Sequence, residues 1–143
     1  MYLKTILLKN EVDEVVREWL NLGHSQIVLV TLFVGDRLSV IDESVAIKVD
    51  GKIVGIATIA PQGEMMSGVP TIVGIYVLPE FRRQGLGKIL LLSAIERCQE
   101  RGFPKVRIDV LSSALMSLIK SLPQEKKEYL EVHELGPILD LYV

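Results

Sequence analysis

Apolar and polar positions alternate loosely from Tyr2 to Lys9, the period of a β-strand. After that the period changes. Val12, Val15, Val16, Trp19 and Leu20 recur every three or four residues, which lines one face of a helix. Asn10 stands where a residue would cap that helix, Asp13 falls in its first turn, and Gly23 stands where it would end. Glu43 to Val49 and Lys52 to Ala60 read as two strands, and the Asp50-Gly51 pair between them tolerates the positive φ angles of a tight hairpin turn. Thr71 to Val77 is another apolar, β-rich run. A helix is predicted over Gly85 to Arg101, with Leu91, Ala94, Ile95 and Cys98 on one face and Glu96, Arg97, Glu100 and Arg101 towards solvent. Gly102 and Pro104 stop it. A strand over Lys105 to Leu111, a short helix over Ser113 to Ser121 and a final strand over Ile138 to Val143 complete the pattern.

Three stretches are less regular. Between residues 24 and 41 the β-branched run Ile27-Val28-Leu29-Val30-Thr31 favours a strand, yet its length also allows a buried helix. Glu125 to Val132 is compatible with either state. Pro61 to Pro70, with its prolines, glycines and the pair Met65-Met66, reads as a surface loop. The order of elements is that of one mixed α/β domain spanning residues 1–143, without repeats, linkers or low-complexity segments.

Composition narrows the function. Apolar residues make up 49% of the chain and charged residues 24%, proportions that build a packed globule rather than a disordered tail. A net charge of -2 supplies no general attraction to nucleic acid or to an anionic membrane, so neither is expected as a partner. The longest apolar run, Ile27 to Val34, is too short to span a bilayer, and the first residues lack the pattern of a secretory leader. The single cysteine, Cys98, cannot form an internal disulfide, which is compatible with a cytoplasmic location. His24 and His133 are isolated in sequence, without the spacing of metal ligands, and no metal is expected.

The informative stretch is Val77-Leu78-Pro79-Glu80-Phe81-Arg82-Arg83-Gln84-Gly85-Leu86-Gly87-Lys88, which joins an apolar strand directly to a long helix. A helix start leaves backbone N–H groups unpaired and carries partial positive charge, so it binds phosphate where side chains do not block the approach. Gly85 and Gly87 remove those side chains, and Arg82, Arg83 and Lys88 place cations at the same mouth. Two familiar phosphate loops fail here. A Walker loop needs glycine at Arg82 and Ser or Thr at Ile89, and the dinucleotide fingerprint needs a small residue at Leu90.

The arrangement resembles the GNAT superfamily of acetyltransferases, whose signature is Arg or Gln, two residues, Gly, one residue, then Gly or Ala. Arg82, Gly85 and Gly87 match it, and Val77-x-Pro79-Glu80-Phe81 is similar to that family's strand-to-loop passage. In motif the chain is closest to the ribosomal-protein N-terminal acetyltransferases, with a divergent last quarter. The resemblance implies an α+β fold: a mixed, mostly antiparallel sheet flanked by helices, with a splayed strand pair. It implies acetyl-CoA as cofactor, its pyrophosphate held by the backbone of Arg83, Gln84, Gly85, Leu86, Gly87 and Lys88, with Arg82 beside them. Its pantetheine arm would pair with the backbone edge of Ile75, Tyr76 and Val77, and the N–H of Val77 would face the thioester oxygen.

Transfer to an amine needs a base for the ammonium proton and an acid for the departing thiolate. In the branch named above a glutamate before the corresponding valine is the base, which carries over to Asp109. The acid is ordinarily a tyrosine, and counting without gaps puts Ser121 in its place; the pattern around it is otherwise missing. The expected activity is N-acetylation of a primary amine, on a small molecule, a protein N-terminus or a lysine, by direct attack in a ternary complex. The missing pattern sustains an alternative, a weakly active or inactive acyl-CoA-binding regulatory module, and the apolar runs at 27–34 and 138–143 allow a homodimer.

Overall fold

The computed structural model describes residues 2–31, 33–34, 37–38, 43–60, 69–136 and 143. Strand β1 (Tyr2–Leu8) leads straight into α1 (Lys9–Asn21). The helix begins before Asn10, because the Glu11 carboxylate reaches back to accept the N–H of Leu8 at 3.1 Å. Asn10 therefore lies inside the first turn and does not cap it. At the other end Gly23 takes a φ of 95°, and the N–H groups of Gly23 and His24 close onto the carbonyls of Leu20 and Trp19.

The β-branched run resolves as a helix, α2 (Ile27–Thr31), followed by the short paired strands β2 (Phe33–Val34) and β3 (Arg37–Leu38). Local propensity is overridden by packing: Ile27, Val30 and Thr31 are buried, and Val30 lies so close to Gly74 that a Cβ there would come within 2.4 Å of the Val30 carbonyl oxygen. Thr58 Oγ1 donates to that same carbonyl at 3.2 Å. Those three side chains, expected as part of a possible dimer surface, belong to the chain's own core.

Strands β4 (Glu43–Val49), β5 (Lys52–Ala60) and β6 (Thr71–Val77) continue the sheet. Asp50 and Gly51 both have positive φ, 51° and 80°, as the tight hairpin between β4 and β5 requires. A turn at Pro79–Phe81 precedes α3 (Leu86–Glu100), and then come β7 (Val106–Val110), α4 (Ser113–Lys120), α5 (Gln124–Tyr129) and β8 (Leu130–Glu134). The six-stranded sheet has the order β1-β4-β5-β6-β7-β8. Its first three junctions are antiparallel and its last two parallel. Helices α1 and α2 cover one face and α3 the other, with Leu90 of α3 against Gly55 of β5. The ambiguous 125–132 stretch divides into the end of α5 and the start of β8. Residues 61–68 and 137–142, which hold Met65, Met66, Tyr142 and most of the predicted last strand, lie outside the described residues. No helix among the described residues is long and apolar enough to cross a membrane.

Two features position the site. Strands β6 and β7 pair only at Thr71 with Arg107 and Ile72 with Ile108, after which they part. Helix α3 is fastened to the sheet by Glu43, whose buried carboxylate takes Arg97 at 2.8 and 3.0 Å and Arg101 at 3.1 Å. Arg97 and Arg101 thus turn inwards rather than to solvent. Burial opposes ionisation of Glu43, but the hydrogen bonds and charges of Arg97 and then Arg101 outweigh it and hold the carboxyl below its ordinary value of 4.5. A carboxylate of depressed pKa adds stability that is complete above the unfolded-state value and is lost as the pH falls through the folded one. We therefore expect Glu43→Gln to lower stability at pH 7 by about 2 kcal/mol, a fall in Tm of roughly 6 °C. In thermal melts at successive pH values the gap between wild type and variant should close below about pH 4.5; a gap independent of pH would refute the account.

Candidate active site

Strand β6 carries an open backbone edge. The N–H of Leu78 donates to Val54 O of β5 at 2.9 Å, so by strand alternation the N–H and C=O of Val77 point the other way, to the side β7 has left. Ile75, two residues back, shares that direction. Tyr76 does not: its amide faces β5, and its ring packs 5.7 Å from that of Trp19. Of the strand residues expected to offer a backbone edge, Ile75 and the N–H of Val77 do so.

The loop that follows is tied to the strand by Arg82. Its Nε donates to Val77 O at 2.7 Å, and its guanidinium carbon lies 5.1 Å from the centre of the Tyr76 ring. The arginine of the signature is thereby committed to the strand end, where it fixes the direction in which the chain enters α3. Arg83 and Gly85 both take left-handed φ, 62° and 84°, a backbone curl that turns successive N–H groups inwards. Gln84 folds back, its Nε2 donating to Glu80 O at 3.3 Å. The first N–H closed within the helix is that of Ile89, onto Gly85 O, which leaves Leu86, Gly87 and Lys88 without intrahelical acceptors.

Leu86 anchors the turn by burying its own side chain, while a Cβ added at Gly85 would meet no heavy atom within 4 Å. The approach to the N–H groups is open there. At Gly87 a Cβ would fall 2.6 Å from that of Val143, so glycine is required by a packing neighbour at the far end of the sequence. The cradle suits a pyrophosphate: left-handed curl, unpaired N–H groups and an uncluttered approach. The open edge at Ile75 and Val77 suits an extended, amide-bearing arm.

Asp109 lies on β7 where the strands have parted, and with Val30, Gly74 and Ile75 it lines a narrow cleft. The side chain is 8% exposed. Its Oδ1 accepts Arg107 Nε at 3.0 Å and stands 3.3 Å from His133 Nδ1, and Arg107 Nη2 also meets His133 Nδ1. His133, which looks isolated in sequence, is the register partner of Asp109 on β8. The only signal that could have found it is the pairing of those two strands.

Ser121 is not brought to this cleft. Its hydroxyl donates to Leu118 O at 2.7 Å on an exposed helix end. The Tyr129 hydroxyl donates to Phe103 O at 2.6 Å, and burial, with a smaller contribution from Cys98, pushes its pKa up to about 12. Cys98 is buried on the inner face of α3, and desolvation pushes its thiol up to about 11, so it is a packing residue at neutral pH. Among the described residues no group of three or more His, Cys, Asp or Glu could hold a metal.

A sheet that parts beside a glycine-rich helix start is the architecture of acetyl-CoA-dependent acetyltransferases. The acetyltransferase (GNAT) family model matches residues 14–119, most of the chain, and the chain belongs to that family, whose members use acetyl-CoA. Solved structures agree in fold. A ribosomal-protein-alanine N-acetyltransferase of Brucella melitensis biovar Abortus 2308 is 22% identical over 75% of this chain and 78% of its own, with a TM-score of 0.53. An aminoglycoside acetyltransferase from an uncultured soil metagenomic sample, in complex with sisomicin, is 18% identical over 84% and 86%, with a TM-score of 0.60. The catalytic domain of the Tetrahymena GCN5 histone acetyltransferase, in complex with coenzyme A, is 17% identical over 98% and 96%, with a TM-score of 0.58. No curated protein sequence matches the chain.

Gly23 provides a control for the cradle, since it too has positive φ and open space above it. We expect Gly85→Leu and Gly23→Leu each to cost about 1–2 kcal/mol through left-handed backbone strain. Only Gly85→Leu should also weaken acetyl-CoA binding, by tenfold or more in calorimetry; equal affinities in the two variants would remove the cradle from the site.

Proposed function

We propose that this chain transfers an acetyl group from acetyl-CoA to a primary amine by direct attack, with both substrates bound together. The observation that carries the reading is Asp109, a buried carboxylate in the cleft at the parting of β6 and β7, beside Ile75 of the open edge. When bound, acetyl-CoA supplies an acetyl carbon activated as a thioester. The N–H groups from Arg83 to Lys88 would hold its pyrophosphate, and the backbone of Ile75 would pair with its arm. The N–H of Val77 would serve as a donor to the thioester oxygen as it gains charge, a donor of the kind worth about 100- to 1,000-fold in rate. Asp109 accepts the ammonium proton and frees the nitrogen lone pair for attack. The high pKa of buried Cys98 supports a route without an acetylated enzyme.

The acceptor is an amine on a small molecule, a protein N-terminus or a lysine. The related structures favour an amine without choosing among these: one is an aminoglycoside acetyltransferase, one a ribosomal-protein-alanine acetyltransferase and one a histone acetyltransferase. A buried, single cysteine suits a cytoplasmic enzyme. The second reading, an acyl-CoA-binding regulatory module, is favoured by the commitment of the Ser121 and Tyr129 hydroxyls to backbone carbonyls, which takes both away from the role of acid.

Screening amines for CoA release separates the two. We expect turnover with the wild type, and Asp109→Asn should lower kcat by about 100-fold or more while acetyl-CoA affinity is unchanged. Tight binding with no acceptor turned over would establish the module, and an undiminished kcat in Asp109→Asn would remove the base.

A further inference from the structure

The margin of the sheet farthest from the cleft is β1, and among the described residues nothing pairs with its outer edge. Proteins ordinarily guard such an edge with a proline, a bulge or charges. β8, the opposite margin, carries Glu131, His133 and Glu134 among its five residues. β1 has no such guard. Its ladder to β4 runs unbroken over seven residues, none of them proline, and Lys4 is its single charge. Tyr2, Leu3, Ile6 and Leu8 are exposed, Leu3 by 64% and Leu8 by 63%. An apolar edge of this length is a template for another strand.

On the face that carries α3, a groove runs beside this edge, lined by Lys4, Ile6 and Val45 and walled by Glu96 and Glu100 of α3. Arg97 also borders it but is committed to the buried Glu43 carboxylate. Glu96 and Glu100 are exposed; Glu96 has no ion-pair partner among the described residues, and Glu100 has only Arg97 at 3.9 Å. The groove therefore offers two carboxylates to an incoming cation.

The strand also fits a copy of itself. Backbone groups alternate in direction along a strand, so a two-fold antiparallel ladder opposes residues of like parity. With Thr5 opposite the partner's Thr5, all seven residues pair: Tyr2 meets the partner's Leu8, Leu3 the partner's Leu7 and Lys4 the partner's Ile6. Sliding the strands by two residues one way sets Lys4 against the partner's Lys4, a like-charge pair that destabilises the ladder. Sliding them the other way leaves Tyr2 and Leu3 unpaired.

We propose that two copies of this chain join through β1, antiparallel about a two-fold axis at Thr5, so that their sheets become one. The partner's Lys4 then stands beside Ile6 at the groove, where its long side chain meets Glu96 and Glu100. The axis makes this contact twice. Leu3 and Leu8, the most exposed apolar residues of the strand, are covered by the partner's Leu7 and the partner's Tyr2. Three strands lie between β1 and β7, so the Asp109 cleft of each copy stays open. A seven-residue strand pair makes a small interface, for which we expect a Kd of about 1–10 μM.

Sedimentation velocity of the untagged protein tests the pairing, with thermal melts to confirm the fold of each variant. We expect a dimer that dissociates on dilution below about 1 μM. Lys4→Glu sets like charges against Glu96 and Glu100 and should raise the Kd about tenfold or more, with acetyl-CoA affinity unchanged. Adding Glu96→Lys and Glu100→Lys to it should restore the dimer. Thr5→Cys reads the register: opposed residues lie about 4.5–5.5 Å apart between Cα atoms, within the span of a disulfide, so oxidation should link the two chains. Leu3→Cys, on the same edge but opposite the partner's Leu7, should not link. A wild-type monomer at about 100 μM would overturn the proposal. A dimer indifferent to Lys4→Glu would do so too, because the copies would then meet elsewhere. Thr5→Cys linking no faster than Leu3→Cys would also overturn it, because the strands would then have no fixed register.

Discussion

The structure depends on the parting of β6 from β7 after two paired residues. Backbone groups inside a protein need partners, and a sheet that opens in its middle leaves a strand edge where amide groups face a gap instead of a neighbour. At Ile75 and Val77 that gap is lined by protein on both sides, so whatever fills it must be narrow, extended and able to exchange hydrogen bonds with a strand. The edge is therefore a local cost of the fold. Everything else in the site is arranged around where it begins and ends.

At its far end the chain must turn at once into α3, because the helix start has to point its free N–H groups along the line the edge establishes. Arg82 secures that turn by holding Val77 O, and Glu43 secures the helix through Arg97 and Arg101. At its near end the gap opens beside Gly74, where α2 packs too closely for any side chain. The cleft that results contains Asp109. Geometry at the reacting centre is thus set by packing contacts made some distance from it, and a loosening of α2 or α3 would reach the site through the backbone.

Much of this was legible in the sequence and some of it was not. Periodicity located α1, α3, the hairpin at Asp50-Gly51 and the strands around it, since each is a local pattern of apolar spacing and turn residues. It misplaced the start of α1 because Glu11, rather than Asn10, supplies the capping contact. It left residues 27–31 open because β-branched residues favour strands by themselves and form a helix here under burial. The inward turn of Arg97 and Arg101 was hidden because Glu43 lies on a strand more than fifty residues earlier.

The turn from Arg83 to Lys88 was legible in the sequence alone, because a glycine-rich helix start is a local object: a glycine for positive φ and a strand immediately before it. The surroundings of Asp109 were decided only by the tertiary structure. Its carboxylate could be read as a base, as half of an Arg107 pair or as a solvent-facing residue, and strand alternation permits all three. Pairing of β7 with β8 brings His133 beside it from twenty-four residues away, and the parting of β6 turns a buried charge into one facing a cleft. Long-range register of this kind leaves no mark on the spacing of residues along the chain, since it arises from how separate elements pack and not from what any one of them contains.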